Sequence, residues 1–168
     1  MKNHLLYLLT ILMLSFVATP LLAQTAWDGT ADVSWYDASQ SSFDISTPEQ
    51  LAGVAQLVNN GTTTFSGKTL NLLNDIWLNY DSDSTNNWVP IGGGTPTSES
   101  PTTGYAFQGN LNGHGHAIYN LYCDHTNYFH GGLICGLQNP GSIDSLVLVN
   151  PVVKSCGMMG ALVGYTRA

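Results

Sequence analysis

The sequence predicts an all-β solenoid closed at its N-terminal end by one capping α-helix, and three observations carry that prediction. Gly131-Gly132-Leu133-Ile134-Cys135 returns twenty-nine residues later as Gly160-Ala161-Leu162-Val163-Gly164, each copy following an Ile-x-x-Leu pair. From Phe65 onward the apolar residues come in short clusters separated by Gly, Asn and Asp, the pattern of brief strands between corners. Ahead of them lies a single helical period, Leu51, Val54, Ala55 and Val58. When a unit recurs at twenty-odd residues it cannot bury its own apolar face, so neighbouring units must stack.

Residues 1–23 read as a secretory signal peptide. Lys2 gives a basic start, Leu5 to Val17 an apolar run, and Ala23 a small residue at the cleavage position before Gln24. That run is short for a membrane span of about 20 residues, and no later stretch is long and apolar enough. Cleavage after Ala23 leaves 145 residues. No Cys follows the run, which argues against a lipid anchor. Residues 24–64 form a cap: Trp27, Val33, Trp35 and Phe43 peg one or two strands, and a helix spans about 47–59. Thr47 is its N-cap, Pro48 its first helical residue, Gln50 the partner in a capping box, and Asn59-Asn60-Gly61 the stop. An uncapped first coil would expose apolar cross-section and strand edges, which is the physical need for this helix.

Residues 65–168 hold the repeats. Leu70, Leu72, Ile76 and Leu78 are the apolar set of the first coil, with Asn74-Asp75 at a corner. Gly115, Ile118 and Leu121 align with Gly141, Ile143 and Leu146, and Gly67, Leu70 and Leu73 fall forty-eight residues upstream of the first set, about two periods. In that alignment Leu70, Ile118 and Ile143 are successive rungs of one stack. Val89-Pro90-Ile91-Gly92 marks a turn of the intermediate coil. Two polar insertions, Asn79 to Asn87 and Gly93 to Gly104, lack apolar period and project as loops, the favoured binding surface of a repeat scaffold.

Composition narrows the function classes. The formal net charge is -7 and the sequence pI about 4.7, and beyond the signal only Lys68, Lys154 and Arg167 are basic. Nucleic acid is therefore excluded as a partner class, because phosphate backbones are held by clustered Lys and Arg. Hydrophobic residues make up 43% of the chain at regular spacing, enough to fill one packed core rather than leave a disordered polar tract. Cys123, Cys135 and Cys156 are an odd number in an exported chain, so at least one stays unpaired; their spacing fits no zinc pattern, and a Cys in a stacked β coil behaves as a small apolar residue.

Several segments together resemble a known family. They are Ile45-Ser46-Thr47-Pro48-Glu49-Gln50-Leu51, Phe65-Ser66-Gly67-Lys68-Thr69-Leu70, Asn74-Asp75-Ile76, the Gly-rich run Phe107 to Ile118, and the two Gly-x-Leu segments containing Gly132, Leu133 and Gly160, Leu162, Gly164. In order and content they look like exported proteins of Bacteroidetes-type bacteria that carry GLUG repeats. The resemblance covers most of the mature chain and implies a right-handed parallel β-helix at the cell surface; related repeats accompany metallopeptidases that cleave immunoglobulin A. Two departures stand out: Cys135 occupies the place of Gly164 in the later copy, where a tight turn is expected, and the chain stops at Ala168 directly after the second motif, which reads as a fragment, a truncated reading frame or an unusually short member.

The remaining candidates are few. Asp81 and Asp83, in Asp81-Ser82-Asp83-Ser84-Thr85-Asn86, resemble the alternating oxygens of a calcium loop but lack its Gly and bidentate Glu. His114, His116, His125 and His130 invite a metal reading, against which the first two belong to a structural turn and the others to a polar connection. Trp88, Tyr80 and Tyr105 flank the insertions and are candidates to stack on sugar rings; Trp77, between Ile76 and Leu78, reads as packed, while packing and stacking are both open for Trp88. There is no His-Glu-x-x-His, no nucleophile motif, and Asp75, Asp124 and Asp144 are scattered. The expectation is a secreted or outer-surface scaffold for adhesion or interaction, without catalysis and with calcium the one cofactor considered. Its partners are expected to be a host or bacterial surface protein or glycan, or neighbouring repeats at the C-terminal end. The alternatives are a carbohydrate-active enzyme or glycan-binding module on the same fold, or an accessory segment of a larger surface peptidase.

Overall fold

A computed structural model describes residues 26–80, 85–93, 105–125, 130–155 and 157–168. Segment 1–23 lies outside the described residues. The elements in chain order are β1 (Ser42–Ile45), α1 (Pro48–Asn59), β2 (Thr69–Leu72), β3 (Ile76–Trp77), β4 (Asn110–Asn112), β5 (Ala117–Tyr119), β6 (Tyr122–His125), β7 (His130–Gly131), β8 (Ile134–Gln138), β9 (Ser142–Asp144), β10 (Val147–Val149), β11 (Val152–Ser155), β12 (Met158–Met159) and β13 (Val163–Arg167). All strand pairs are parallel, in the orders β1-β2-β4-β9, β10-β5-β3, β11-β6, β12-β7 and β13-β8. The result is a β-solenoid of about three turns with one helix.

Helix α1 forms where its capping chemistry requires. Thr47 Oγ1 accepts from the Gln50 amide at 3.3 Å, and Gln50 Oε1 accepts from the Ser46 amide at 2.8 Å, so the reciprocal box closes one residue early. At the other end Gly61, at φ +79°, donates its amide to the Val58 carbonyl. The helix buries Leu51, Val54, Ala55, Leu57 and Val58 in the core shared with the first coil. Its one internal glycine has a steric purpose: a Cβ on Gly53 would sit 2.0 Å from the Asp32 carbonyl oxygen. Gly53→Ala, normally worth up to about 1 kcal/mol in favour of a helix, is therefore expected to destabilise this protein by roughly 1–3 kcal/mol, read as a lowered urea midpoint; an unchanged or raised midpoint would contradict the close packing of 32 on α1.

Before β1 the expected strands through Trp27, Val33 and Trp35 are absent among the described residues. Three Asp side chains hold turns there instead, each accepting from the amide two residues on: Asp28 from Thr30, Asp32 from Ser34, Asp37 from Ser39. Hydrogen bonds from the same partners hold all three carboxyls below their ordinary range, led by the Thr30 hydroxyl for Asp28, Ser34 for Asp32 and the Ser39 amide for Asp37. Trp35 and Tyr36 still reach the core: Trp35 meets Phe43 edge-on and stacks on Phe65, and Tyr36 tilts against Phe43 and meets Phe65 edge-on.

The twenty-nine-residue echo is a register: Ile134 pairs with Val163, and the Leu133 amide donates to the Ala161 carbonyl at 3.0 Å. The other alignment is corrected. Leu70 pairs with Leu111, and Leu111 with Ile143, after Phe43; Ile118 belongs to the next face, between Ile76 and Leu148. Leu70 and Ile143 thus share one stack from which Ile118 is excluded. The cause is that corners are built alike. Ile118-Tyr119-Asn120-Leu121 and Ile143-Asp144-Ser145-Leu146 each place an apolar residue in a strand, a left-handed residue two positions on (Asn120 at φ 54°, Ser145 at φ 50°), and then a Leu that turns into the core. The two segments are successive corners of the coil, not equivalent ones. Gly67 and Gly115 accordingly serve different turns, both at positive φ.

The Gly132 position is dictated by close approach, since a Cβ there would meet the Gly160 carbonyl oxygen of the next coil at 2.3 Å. Cys135 and Gly164 face each other within β8 and β13, so the expected tight turn at that place is a strand in both coils. Gly141 closes a turn onto the Gln138 carbonyl, and a Cβ on Gly160 would strike the Val163 carbonyl oxygen.

Candidate functional site

The outward positions of the four-stranded sheet carry only small polar side chains. They are Ser42 and Asp44, Thr69 and Asn71, Asn110 and Asn112, Ser142 and Asp144, two from each strand. Alternation puts these residues on one face while Phe43, Leu70, Leu111 and Ile143 fill the interior. The polar groups bond along the stack: Asn71 Nδ2 donates to Ser42 Oγ at 3.0 Å, Ser142 Oγ donates to Asn110 Oδ1 at 3.1 Å, and His114 Nε2 lies 3.1 Å from Asn71 Oδ1. Around the corner His116 Nδ1 lies 3.2 Å from Asp75 Oδ1, which also accepts from the Ala117 amide. These two imidazoles act as ties between coils. His125 Nε2 likewise sits 2.8 Å from the Trp88 carbonyl. No group of three or more His, Cys, Asp or Glu gathers for a metal ion among the described residues; Asp81 and Asp83 lie outside them.

The aromatic candidates exchange roles. Trp88 is fully buried, its indole N–H donating to the Leu133 carbonyl at 3.0 Å and its ring edge-packed on Trp27 at 5.6 Å. It has no face to offer a sugar. Trp77 instead points outward and stacks on Tyr119 of the next coil at 4.0 Å and 11°. Because each ring covers a face of the other, this pair acts as a cross-strand ladder. Tyr80 and Tyr105 are exposed, 57% and 50%, on separate connections; Tyr105 lies over Gly61, where a Cβ would come within 2.4 Å of the ring.

A cleft of 360 Å³ opens between α1 and the segments 27–31 and 87–89, with Trp27, Ala31, Ala52, Ala55, Trp88 and Val89 in its walls. Two of its rim amides are already engaged: Asn59 bonds the Pro90 carbonyl and the Gly92 and Gly93 amides, and Asn87 exchanges two hydrogen bonds with Asp124. Such walls offer apolar contact and little polar recognition. The Ala52 and Ala55 spacing on α1 is the sequence signal for a shallow helix face, but nothing local announces that residues 87–89 lie opposite.

Lys154 Nζ donates to Asp124 Oδ2 at 2.8 Å across the β6–β11 pair, and this bond, with one from the Tyr122 hydroxyl, holds the Asp124 carboxyl low. Cys123 and Cys135 are free and buried, and burial pushes both thiols up, Cys135 to about 12. With Cys156 replaced by Ser, neither thiol is expected to react with an aromatic disulfide reagent at pH 8 until the protein unfolds; rapid labelling of the native chain would contradict this burial. The unfolded thiols ionise from about pH 9 while the folded Cys135 keeps its proton, so stability is expected to fall as pH rises from 9 toward 12.

No family model matches the chain, and no solved structure matches it. Among curated proteins, 86 residues, or 51% of this chain, are 34% identical to Halomucin of Haloquadratum walsbyi. The matched stretch spans 1% of that protein's length.

Proposed function

We propose that this chain is an exported, non-catalytic β-helix scaffold of the GLUG-repeat kind, which presents its outer faces and insertions to a surface protein or glycan. The observation that carries this reading is the outward ladder of Ser, Thr, Asn and Asp over four parallel strands. Such a face is regular, carries the carboxylates of Asp44 and Asp144 among its small polar side chains, and supplies hydroxyl and amide groups at the rung spacing of about 4.8 Å. Functional side chains on a rigid solenoid act as surface rather than as a catalytic pocket. Export is supported by the basic start, apolar run and small residue of 1–23, and a surface setting by the partial likeness to Halomucin.

Immobilised mucin, host matrix proteins and bacterial surface glycans, each titrated with residues 24–168, test the reading. Saturable binding to at least one is expected, with no release of reducing ends or unsaturated products from acidic or neutral polysaccharides. Absence of binding to all of them, or turnover of any polysaccharide, would overturn it.

A further inference from the structure

Granting that the polar ladder is the contact surface of the scaffold, we infer that its partner is an uncharged, hydroxyl-rich glycan chain lying along the solenoid axis, across β1, β2, β4 and β9. The outward groups form two rows over the four strands: Ser42, Thr69, Asn110 and Ser142 in one, Asp44, Asn71, Asn112 and Asp144 in the other. Rungs repeat about every 4.8 Å along a row, and the rows lie about 6.6 Å apart. Part of this lattice bonds to itself. Asn71 Nδ2 donates to Ser42 Oγ and the Asp44 carboxylate, Asn112 Oδ1 accepts from the His114 amide at 3.0 Å, and Asn110 Oδ1 accepts from the Ser142 hydroxyl. Among the described residues nothing engages the Nδ2 groups of Asn110 and Asn112, the Thr69 hydroxyl or the Asp144 carboxylate.

These four groups decide the chemistry of the partner. The two amide Nδ2 groups only donate, the carboxylate only accepts, and the hydroxyl does either. A sugar hydroxyl, itself both donor and acceptor, matches each of them. An anionic glycan brings acceptors alone to face Asp44 and Asp144, while a chain of ammonium groups brings donors alone and leaves both amides unmatched. No Lys or Arg among the described residues offsets the two carboxylates: Lys68 Nζ donates to the Ala38 and Gln40 carbonyls, Lys154 is held by Asp124 on another face, and Arg167 lies over the Tyr165 ring. Direction follows from length, since each strand offers two outward residues and each row four, and an extended chain of pyranoses advances by roughly one rung per sugar.

Titration of residues 24–168 with neutral glucan, mannan and galactan, and with polygalacturonate, heparin and protonated chitosan, tests this at low ionic strength. Saturable binding to at least one neutral polysaccharide is expected, at least about tenfold tighter than to any charged polymer. Oligosaccharides of that polymer should gain affinity up to about four sugars. Asn110→Asp with Asn112→Asp keeps the Oδ1 acceptors used by Ser142 and the His114 amide and removes both Nδ2 donors, so binding is expected to fall at least about tenfold with an unchanged circular dichroism spectrum. Val152→Ser, on a different outer face, leaves it intact. Tighter binding of a charged polymer, affinity that stops rising at about two sugars or is indifferent to the two Asp substitutions, or capture of a surface protein without any neutral glycan would overturn the inference and leave the scaffold reading standing. Binding to no glycan and no surface protein would overturn both.

Discussion

Trp88→Ala is expected to lower the unfolding free energy by about 3–5 kcal/mol, the range for deleting a large aromatic side chain from a packed core. Three losses combine at this residue. The side chain is fully enclosed, its N–H bond to the Leu133 carbonyl disappears, and Trp27 loses the ring against which its edge rests. The cleft beside α1 would deepen into the vacated volume. Trp88→Phe keeps most of the apolar contact and forfeits the hydrogen bond, so a smaller loss of about 1–3 kcal/mol is expected. Equilibrium urea unfolding measures both. A Trp88→Ala protein of nearly native stability would mean that the indole lies at the surface, as a sugar platform would.

Leu111→Ala is expected to cost about 2–5 kcal/mol, and Ile143→Ala, at a partly buried position, well under half as much. Both residues belong to the stack that starts at Phe43 and passes through Leu70, so chemistry and face are matched and only depth differs. Leu111 has a coil on either side. Ile143 has one among the described residues and is only partly buried. Equilibrium urea unfolding separates the two values; equal costs would place the residues at equal depth and contradict the order of coils.

The sequence carried the architecture further than it carried the register. Helix α1 was legible because its caps are local chemistry, Thr47, Pro48, Gln50 and Gly61 all acting within a few residues of the helix ends. The Gly-x-Leu echo was legible because β8 and β13 are separated by an uninterrupted coil. Leu70, Ile118 and Ile143 misaligned because the corners at Asn120 and Ser145 share the same apolar, outward, left-handed, apolar order, and the corner after β4 is longer than the one after β9. A shift by one corner then reads like a shift by one coil. The segment around Trp27 and Trp35 misled differently: alternating aromatics suggested strands, while Asp28, Asp32 and Asp37 bind their own backbone and favour turns. As for the surface, no local signal could tell Trp77, outward on β3, from Trp88, inward beside β6. The outcome is fixed by strand parity for one and by a contact forty-five residues away for the other.

The central claim is the pairing of β2 with β4, forty-one residues on, rather than with β5. Asn71 and Asn112 are outward partners across that pair, while an alignment of Leu70 with Ile118 would set Asn71 beside Tyr119. With Cys156 changed to Ser, Asn71→Cys combined with Asn112→Cys should oxidise to a disulfide in the native protein, since adjacent strands about 4.8 Å apart fall in the bonding range. Asn71→Cys combined with Tyr119→Cys should remain reduced under the same conditions. Cross-linking of 71 to 119 in place of 112 would contradict the stack.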